Sequence, residues 1–186
     1  MSRYTHLLGL VFFAFLLMAA PAGADEPSSG SQAAAPVRPV AALLPLADDG
    51  TLQVSDQDRC PLCGMFPAKR PKTAAAMALS DGRTFYFCGN GCMLRAWRDP
   101  ARHLKAQPGD IARMMTKDFF RGVPLDAHQA WWVAGSDVIG PMGPALVALS
   151  TEGDVAQFQG RHGGRFVFQL SQMDDTLWQK LFPPKP

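Results

Sequence analysis

The sequence has little cysteine, and none of it lies near the start of the chain. All four cysteines fall between residues 60 and 92. Because no cysteine directly follows the apolar run Leu7–Ala20, a lipoprotein signal is absent. That run is also shorter than the roughly 18 residues that a membrane-spanning helix needs. Both absences predict a protein with no membrane anchor.

Strong charge bias is absent as well. Lys and Arg number 18, and Asp and Glu number 16, for a formal net charge of +2. Nucleic acid or an acidic membrane surface would require a basic run or patch, so neither is expected as a partner. The sequence offers no paired carboxylates and no Ser-His-Asp arrangement, so we predict that the protein is not an enzyme.

The first 24 residues have the features of a Sec signal peptide. Arg3 supplies a weak positive charge, the apolar run follows, and Ala22-Gly23-Ala24 provides a cleavage site. These features predict an exported, soluble, periplasmic protein.

Two segments of different composition follow. Residues 25–55 are rich in Ala, Pro, Ser and Gly without periodicity, and we predict a flexible tether there. Residues 56–182 are long and apolar enough for one compact domain with its own core.

The cysteine segment predicts a local fold. Asp81-Gly82 between the apolar runs Thr73–Leu79 and Thr84–Phe87 indicates a β-hairpin. Cys92 then opens a helix that runs to about Arg98 and is stopped by Pro100. A hairpin that joins two cysteine pairs, the second entering a helix, is typical of a treble-clef-like metal site.

Beyond Pro108 strands alternate with single helices. We expect a helix over Asp154–Gln159, capped by Ser150 and terminated by Gly160 or by Gly163-Gly164. A short final helix is expected after the capping box Ser171–Asp174. The expected strands are Ile111–Met115, Ala130–Ala134, Ala145–Leu149 and Arg165–Leu170. We therefore predict an α+β fold built from two small β-hairpin-plus-helix halves.

The two cysteine pairs permit three kinds of site. Cys60 and Cys63 have the C-x-x-C spacing, and Cys88 and Cys92 are four residues apart. Such an array suits a structural Zn(II) ion, two disulfides in an oxidising compartment, or thiol-disulfide exchange. Spacing alone leaves these alternatives open.

Methionines near the cysteines favour a softer ion. Met65 lies two residues after Cys63, and thioethers bind Cu(I) well and Zn(II) poorly. Met93 is the weaker candidate, because neighbouring side chains on a helix diverge. Met142 lies in a Gly-Pro-rich loop that suits a copper ligand or a docking contact, and His162 suits a helix C-cap.

Several motifs together resemble the NosL family of nitrous oxide reductase accessory proteins. They are Cys63-Gly64-Met65, the hairpin Asp81–Phe85, and the later segments Trp132–Ser136, Gly140–Gly143, Ala156–Phe158 and His162–Gly164. The segment Phe87–Cys92 also resembles small metal-binding domains of the TRASH and YHS types.

This resemblance implies a Cu(I)-binding metallochaperone whose client is a copper protein such as nitrous oxide reductase. It matches Cys63 and Met65 to the family's Cys-x-Met element. We predict that Cu(I), or alternatively Zn(II), is bound by some of five residues: Cys60, Cys63, Met65, Cys88 and Cys92. The alternative function is a zinc- or disulfide-stapled docking or redox module that binds a partner through an exposed Trp and Met142.

Overall fold

The computed structural model of the chain describes residues 39–183. The predicted signal peptide, residues 1–24, and residues 25–38 of the predicted tether lie outside the described residues. Within the described range, no helix combines the length and the apolar character needed to cross a bilayer.

The first half contains a four-stranded antiparallel sheet with two helices. Its elements are β1 Ala75–Leu79, β2 Thr84–Phe87, α1 Asn90–Arg98, α2 Pro100–Leu104, β3 Ile111–Lys117 and β4 Pro124–Asp126. The strand order is β2-β1-β3-β4. The predicted hairpin over Asp81-Gly82 is confirmed, and Gly82 has the positive φ of +90° that this turn requires.

The second half contains a smaller antiparallel sheet of order β8-β5-β9. Its elements are β5 Trp131–Ser136, β6 Ile139–Gly140, β7 Gly143–Pro144, β8 Val147–Leu149, α3 Glu152–His162, β9 Gly163–Phe168 and α4 Asp175–Leu181. Strands β6 and β7 form a separate short hairpin between β5 and β8. Single 3-10 turns cover Pro67–Lys69, Pro108–Asp110 and Leu170–Gln172.

The two halves share one topology. In each, two antiparallel strands are followed by a helix, and the next strand returns to pair with the first: β3 with β1, and β9 with β5. The α+β class and the two similar halves are therefore confirmed. This similarity does not require a sequence repeat, because different sequences can form the same connection of hairpin, helix and returning strand.

One apolar core joins the two halves. Phe85, Phe87 and Met93 from the first half and Trp132 and Phe168 from the second are at most 2% exposed and belong to one cluster. The indole N–H of Trp132 donates to the carbonyl of Ala127 at 3.0 Å, so burial leaves this donor satisfied.

The predicted start of α3 was wrong, whereas its C-cap is Gly163, one of the two glycine positions expected to terminate it. The helix covers Glu152–His162 rather than Asp154–Gln159, and its N-cap is Thr151 rather than Ser150. The Thr151 hydroxyl accepts from the backbone N–H of Asp154 at 3.2 Å. Ser150 cannot serve as the cap because its hydroxyl donates to the buried carboxylate of Asp118 at 2.6 Å.

The second part of the predicted tether is packed rather than free. Leu46 is only 8% exposed, and with Leu52 and Val54 it covers a cluster of Ala76, Tyr86 and Met115 on the first sheet. The sequence prediction missed this packing because the few large apolar residues lie in a segment rich in Ala and Pro. Every residue of β2 is buried because residues 39–55 cover the face of the sheet that the main core does not.

Tyr86 offers a direct test of this packing. Its hydroxyl accepts from the backbone N–H of Gln53 at 3.1 Å and donates to the carbonyl of Pro45 at 3.0 Å. We expect Tyr86→Phe to lower the free energy of unfolding by about 1.5 kcal/mol, since two hydrogen bonds to the segment are lost. Hydrogen exchange at the Gln53 amide should accelerate, while amides of β1 stay protected.

The control for Tyr86→Phe is Leu44→Ala, which truncates a side chain that is 47% exposed. It should change the free energy of unfolding by no more than about 0.5 kcal/mol. Unchanged exchange at Gln53 in Tyr86→Phe would show that the segment is not held by this hydroxyl.

Candidate metal centre

Cys60 and Cys63 are held by a tight turn. The N–H of Cys60 donates to the carbonyl of Met65 at 2.8 Å, and the N–H of Gly64 donates to the carbonyl of Cys60 at 2.9 Å. Gly64 has a φ of +72°, which a residue with a Cβ rarely adopts. The turn therefore closes on itself and directs both cysteines toward the end of the β1–β2 hairpin.

Cys88 and Cys92 lie at the junction of β2 and α1. Cys88 follows the last residue of β2, Gly89 is the N-cap of α1, and the N–H of Cys92 donates to the carbonyl of Gly89 at 3.0 Å. The hydroxyl of Thr73 donates to the carbonyl of Cys88 at 2.7 Å and fixes the strand end. The first turn of a helix favours a thiolate, because the helix dipole is positive there.

The four cysteine sulfurs converge. They all lie within 4.8 Å of one another, and the Cys63–Cys88 and Cys88–Cys92 sulfurs are 3.4 and 3.8 Å apart. Thiolates bound to one tetrahedral ion at about 2.3 Å would be separated by about 3.8 Å. All four cysteines lie within the described residues and are free thiols. The donor set and its spacing thus fit one soft metal ion.

The four thiols differ in the direction of their pKa shifts. Hydrogen bonds from Cys63, Cys88 and Cys92 hold the pKa of Cys60 far below its usual range. The pKa of Cys63 is lowered to about 7: its bond with Cys60 raises this pKa, but the bonds from Cys88 and Cys92 lower it by more.

Cys88 and Cys92 carry the opposite shift. Their pKa values are raised because these thiols donate hydrogen bonds to Cys60 and Cys63, whose negative charge opposes further ionisation. These opposite pKa shifts favour negative charge on the Cys60–Cys63 turn over negative charge on Cys88 and Cys92. A cation that binds all four sulfurs would displace the protons of Cys88 and Cys92.

Solvent reaches this cluster unevenly. Cys60 and Cys88 are fully buried and Cys92 is 3% exposed, whereas Cys63 is only partly buried. Cys63 is therefore the most exposed of the four cysteines, and we expect an ion or a competing ligand to approach the cluster on its side.

The predicted methionine positions differ in their surroundings. Met65 is partly buried and packs against the core beside Leu62 and Cys63. Met93 is fully buried in that core, which agrees with the prediction that it is a weaker ligand candidate than Met65. The ligand role of Met65 stays a prediction.

Met142 and His162 lie outside the group of four sulfurs. Met142 is at the tip of the β6–β7 hairpin and is 55% exposed. His162 ends α3, where its Nδ1 lies 2.9 Å from a carboxylate oxygen of Asp137 and its ring packs against Phe158. Its expected place at a helix end is confirmed.

Two supporting residues were missed from the sequence. One is Thr73, which fixes Cys88; the other is Arg59, whose guanidinium donates to the carbonyl of Gly64 at 3.2 Å and lies 3.5 Å from the centre of the Phe66 ring. Arg59 directly precedes Cys60, but nothing in its position signals a bond across the turn.

Comparison with known proteins gives concordant matches. The sequence model of the family described as NosL matches residues 51–178. The chain is 30% identical over 132 residues to the copper-binding lipoprotein NosL of Stutzerimonas stutzeri, a match that covers 67% of this chain and 66% of that relative. The chain thus spans just under two thirds of the relative's length.

A solved structure has a similar fold. The crystal structure of the copper chaperone NosL from Shewanella denitrificans superposes with a TM-score of 0.59 at 18% identity. The superposition covers 70% of this chain and 99% of that one. At 18% identity this match shows a similar fold and nothing further.

The predicted localisation is corrected by the first relative. That protein is named a lipoprotein, which contradicts our prediction of a soluble periplasmic protein without an anchor. The prediction depended on the absence of a cysteine after the apolar run. The absence of one attachment motif does not establish that a protein is soluble.

The unequal exposure and ionisation of the thiols can be tested by alkylation. In the metal-free, reduced, folded protein we expect iodoacetamide to modify Cys63 first, because it is partly exposed. The rate should rise with pH through a midpoint of about 7, since the thiolate is the reactive form. In denaturant all four thiols should react, with a midpoint near the usual value of about 8.5. Peptide mapping that finds Cys60 or Cys88 modified first would contradict this geometry.

Proposed function

The chain belongs to the NosL family, and we propose that it binds Cu(I) at the four-cysteine cluster and delivers it to a copper enzyme, with nitrous oxide reductase as the client. This membership confirms the resemblance drawn from the sequence motifs. The observation that carries the proposal is the convergence of four thiol sulfurs within 4.8 Å of one another. Both named relatives are copper proteins, one a copper-binding lipoprotein and the other a copper chaperone.

The donor set supports copper as the cargo. Thiolate sulfurs bind both Cu(I) and Zn(II), whereas a thioether sulfur favours Cu(I), and Met65 lies on the same turn as Cys63. The proposed ligands are drawn from Cys60, Cys63, Met65, Cys88 and Cys92. Cu(I) also accepts low coordination numbers, so it need not engage every sulfur.

Unequal burial supports delivery rather than permanent storage. A ligand on the client can approach at Cys63, the partly exposed cysteine, while Cys60 and Cys88 retain the ion from the buried side. One protein sulfur leaves as the client's ligand binds, so the ion is never released into water. Cys88 and Cys92 can then recover their protons, which their raised pKa values favour. This function requires no catalytic group, and we propose a carrier rather than an enzyme.

A structural Zn(II) site is the second candidate. The same tetrahedral spacing and the burial of three of the four cysteines suit a closed Zn(II) site. In that case the domain would serve as a docking module.

Metal competition separates these two functions. We expect the reduced protein to bind one Cu(I) under anaerobic conditions and to retain it against excess Zn(II), because the proposed thioether ligand favours Cu(I) over Zn(II). Cys63→Ser and Cys88→Ser should each weaken Cu(I) binding by roughly 100-fold or more, since losing a ligand costs more than losing a residue that only hydrogen-bonds to a ligand. A chromophoric Cu(I) chelator provides the measurement.

Thr73→Ser is the matched control for the cysteine variants, because it keeps the hydroxyl that bonds Cys88. It should leave Cu(I) affinity unchanged. Tight Zn(II) binding that Cu(I) cannot displace would establish the structural site instead. A mass four hydrogens below that of the reduced chain, in protein isolated without reductant, would establish two disulfides.

Met65→Leu tests the thioether separately from the thiolates. Leucine preserves size and apolar character, so the fold should be retained. We expect Cu(I) affinity to fall by roughly 10-fold and Zn(II) affinity to stay unchanged, because only Cu(I) uses a thioether. Met93→Leu, in the core beside Cys92, should alter neither affinity. Equal Cu(I) affinities of the two variants would remove Met65 from the ligand set.

A further inference from the structure

A groove of about 990 Å³ opens beside the metal centre. Its walls come from the start of α1, the loop after β3, the β6–β7 hairpin and the end of α4. We call it the basic groove. Gly91 and Cys92 form part of its lining, so an occupant would lie next to the sulfur cluster.

Positive side chains dominate the basic groove. Its charged lining residues are one acid, Asp118, and six bases: Lys72, Arg95, Lys117, Arg121, Arg165 and Lys180. Asp118 is 1% exposed and is already bound to Ser150 and to Arg121. Because Asp118 is already bound to Arg121, it is unavailable to pair with the other five bases.

Those five cations have no carboxylate partner. Arg121 forms a paired contact with Asp154 at 2.9 and 3.0 Å. Among residues 39–183 no carboxylate lies within ion-pair distance of the other five bases. Lys117 and Arg95 donate to the carbonyls of Pro71 and Gly91, which orients them without cancelling their charge.

Apolar side chains are exposed along the same groove. Phe119, Ile139 and Met142 line it and are 40%, 71% and 55% exposed. A protein surface that combines exposed apolar side chains with charge of one sign is typical of a protein interaction site. Gly89 allows the hairpin to pack closely here, because a Cβ at this position would lie 3.3 Å from Cδ of Pro141.

We propose that the basic groove binds an acidic segment of the protein that receives the metal. This inference rests on the proposed copper-delivery function and names the chemistry of its partner. The charge of the groove is complementary to Asp and Glu side chains, and Phe119, Ile139 and Met142 suit apolar residues between them. A segment seated there would bring the partner next to Cys92. A recess with bases on several walls fits a polypeptide better than a flat bilayer.

Peptide binding tests this surface without using the metal. The probe is a short fluorescein-labelled peptide in which Glu alternates with Leu and Phe, and its control has Gln in place of each Glu. We expect the full chain to bind the acidic peptide and not the control, by fluorescence anisotropy. Binding should weaken as NaCl rises from about 50 to about 500 mM, because exposed charges are screened.

Variants locate the peptide within the groove. Arg165→Gln with Lys180→Gln should weaken acidic peptide binding roughly 10-fold, since two exposed charge contacts are lost. The matched control removes two exposed charges elsewhere, with Arg102→Gln and Arg161→Gln, and should leave peptide affinity within about two-fold. Both pairs should keep the Cu(I) affinity of the parent, because neither contacts the sulfur cluster.

The outcomes distinguish this inference from the proposed function. Equal loss in both variant pairs, or equal binding of the acidic and Gln peptides, would overturn the groove as an acidic docking site. Groove-dependent binding to vesicles containing phosphatidylglycerol, with none to the peptide, would assign it to membranes instead. Groove-dependent peptide binding by a protein that fails to bind Cu(I) would refute copper delivery and leave the docking surface intact.

Discussion

Convergence of four cysteine sulfurs is the constraint on which the first half of this protein depends. Two cysteines come from a turn closed by Gly64 and two from the junction of β2 and α1, so the turn, the hairpin and the helix start must all meet. Their sulfurs are close enough to form hydrogen bonds, which lower the pKa values of Cys60 and Cys63 and raise those of Cys88 and Cys92. A bound cation would remove the mutual opposition of the thiolates and hold these elements together.

The second half gives this centre its surroundings. Trp132 and Phe168 complete the core behind α1, and the β6–β7 hairpin packs against Gly89 at the helix start. The buried carboxylate of Asp118 holds Ser150 and Arg121 and fixes the loop that carries Phe119. A cluster that stores negative charge therefore lies beside a groove with uncompensated positive charge.

Local patterns predicted much of the fold. Asp81-Gly82 identified the β1–β2 hairpin, because its turn type requires a glycine at positive φ. Other local signals failed where a distant residue competed for a group. Ser150 resembled a helix cap, but Asp118 takes its hydroxyl. The Ala-Pro segment resembled a tether, but Leu46 packs on the far face of the first sheet. Neither contact has a signature within a short stretch of sequence.

The sequence by itself determined the donor chemistry, the α+β class and the family, because residue identity, turn signals and motif order are local properties. It also indicated that Cys60, Cys63, Cys88 and Cys92 could share one ion. Only the tertiary structure decided which cysteine is partly exposed, which thiols have lowered and which have raised pKa values, and that bases from residue 72 to residue 180 line one groove. Those properties depend on distances between segments far apart in the chain, and packing of the two halves sets these distances.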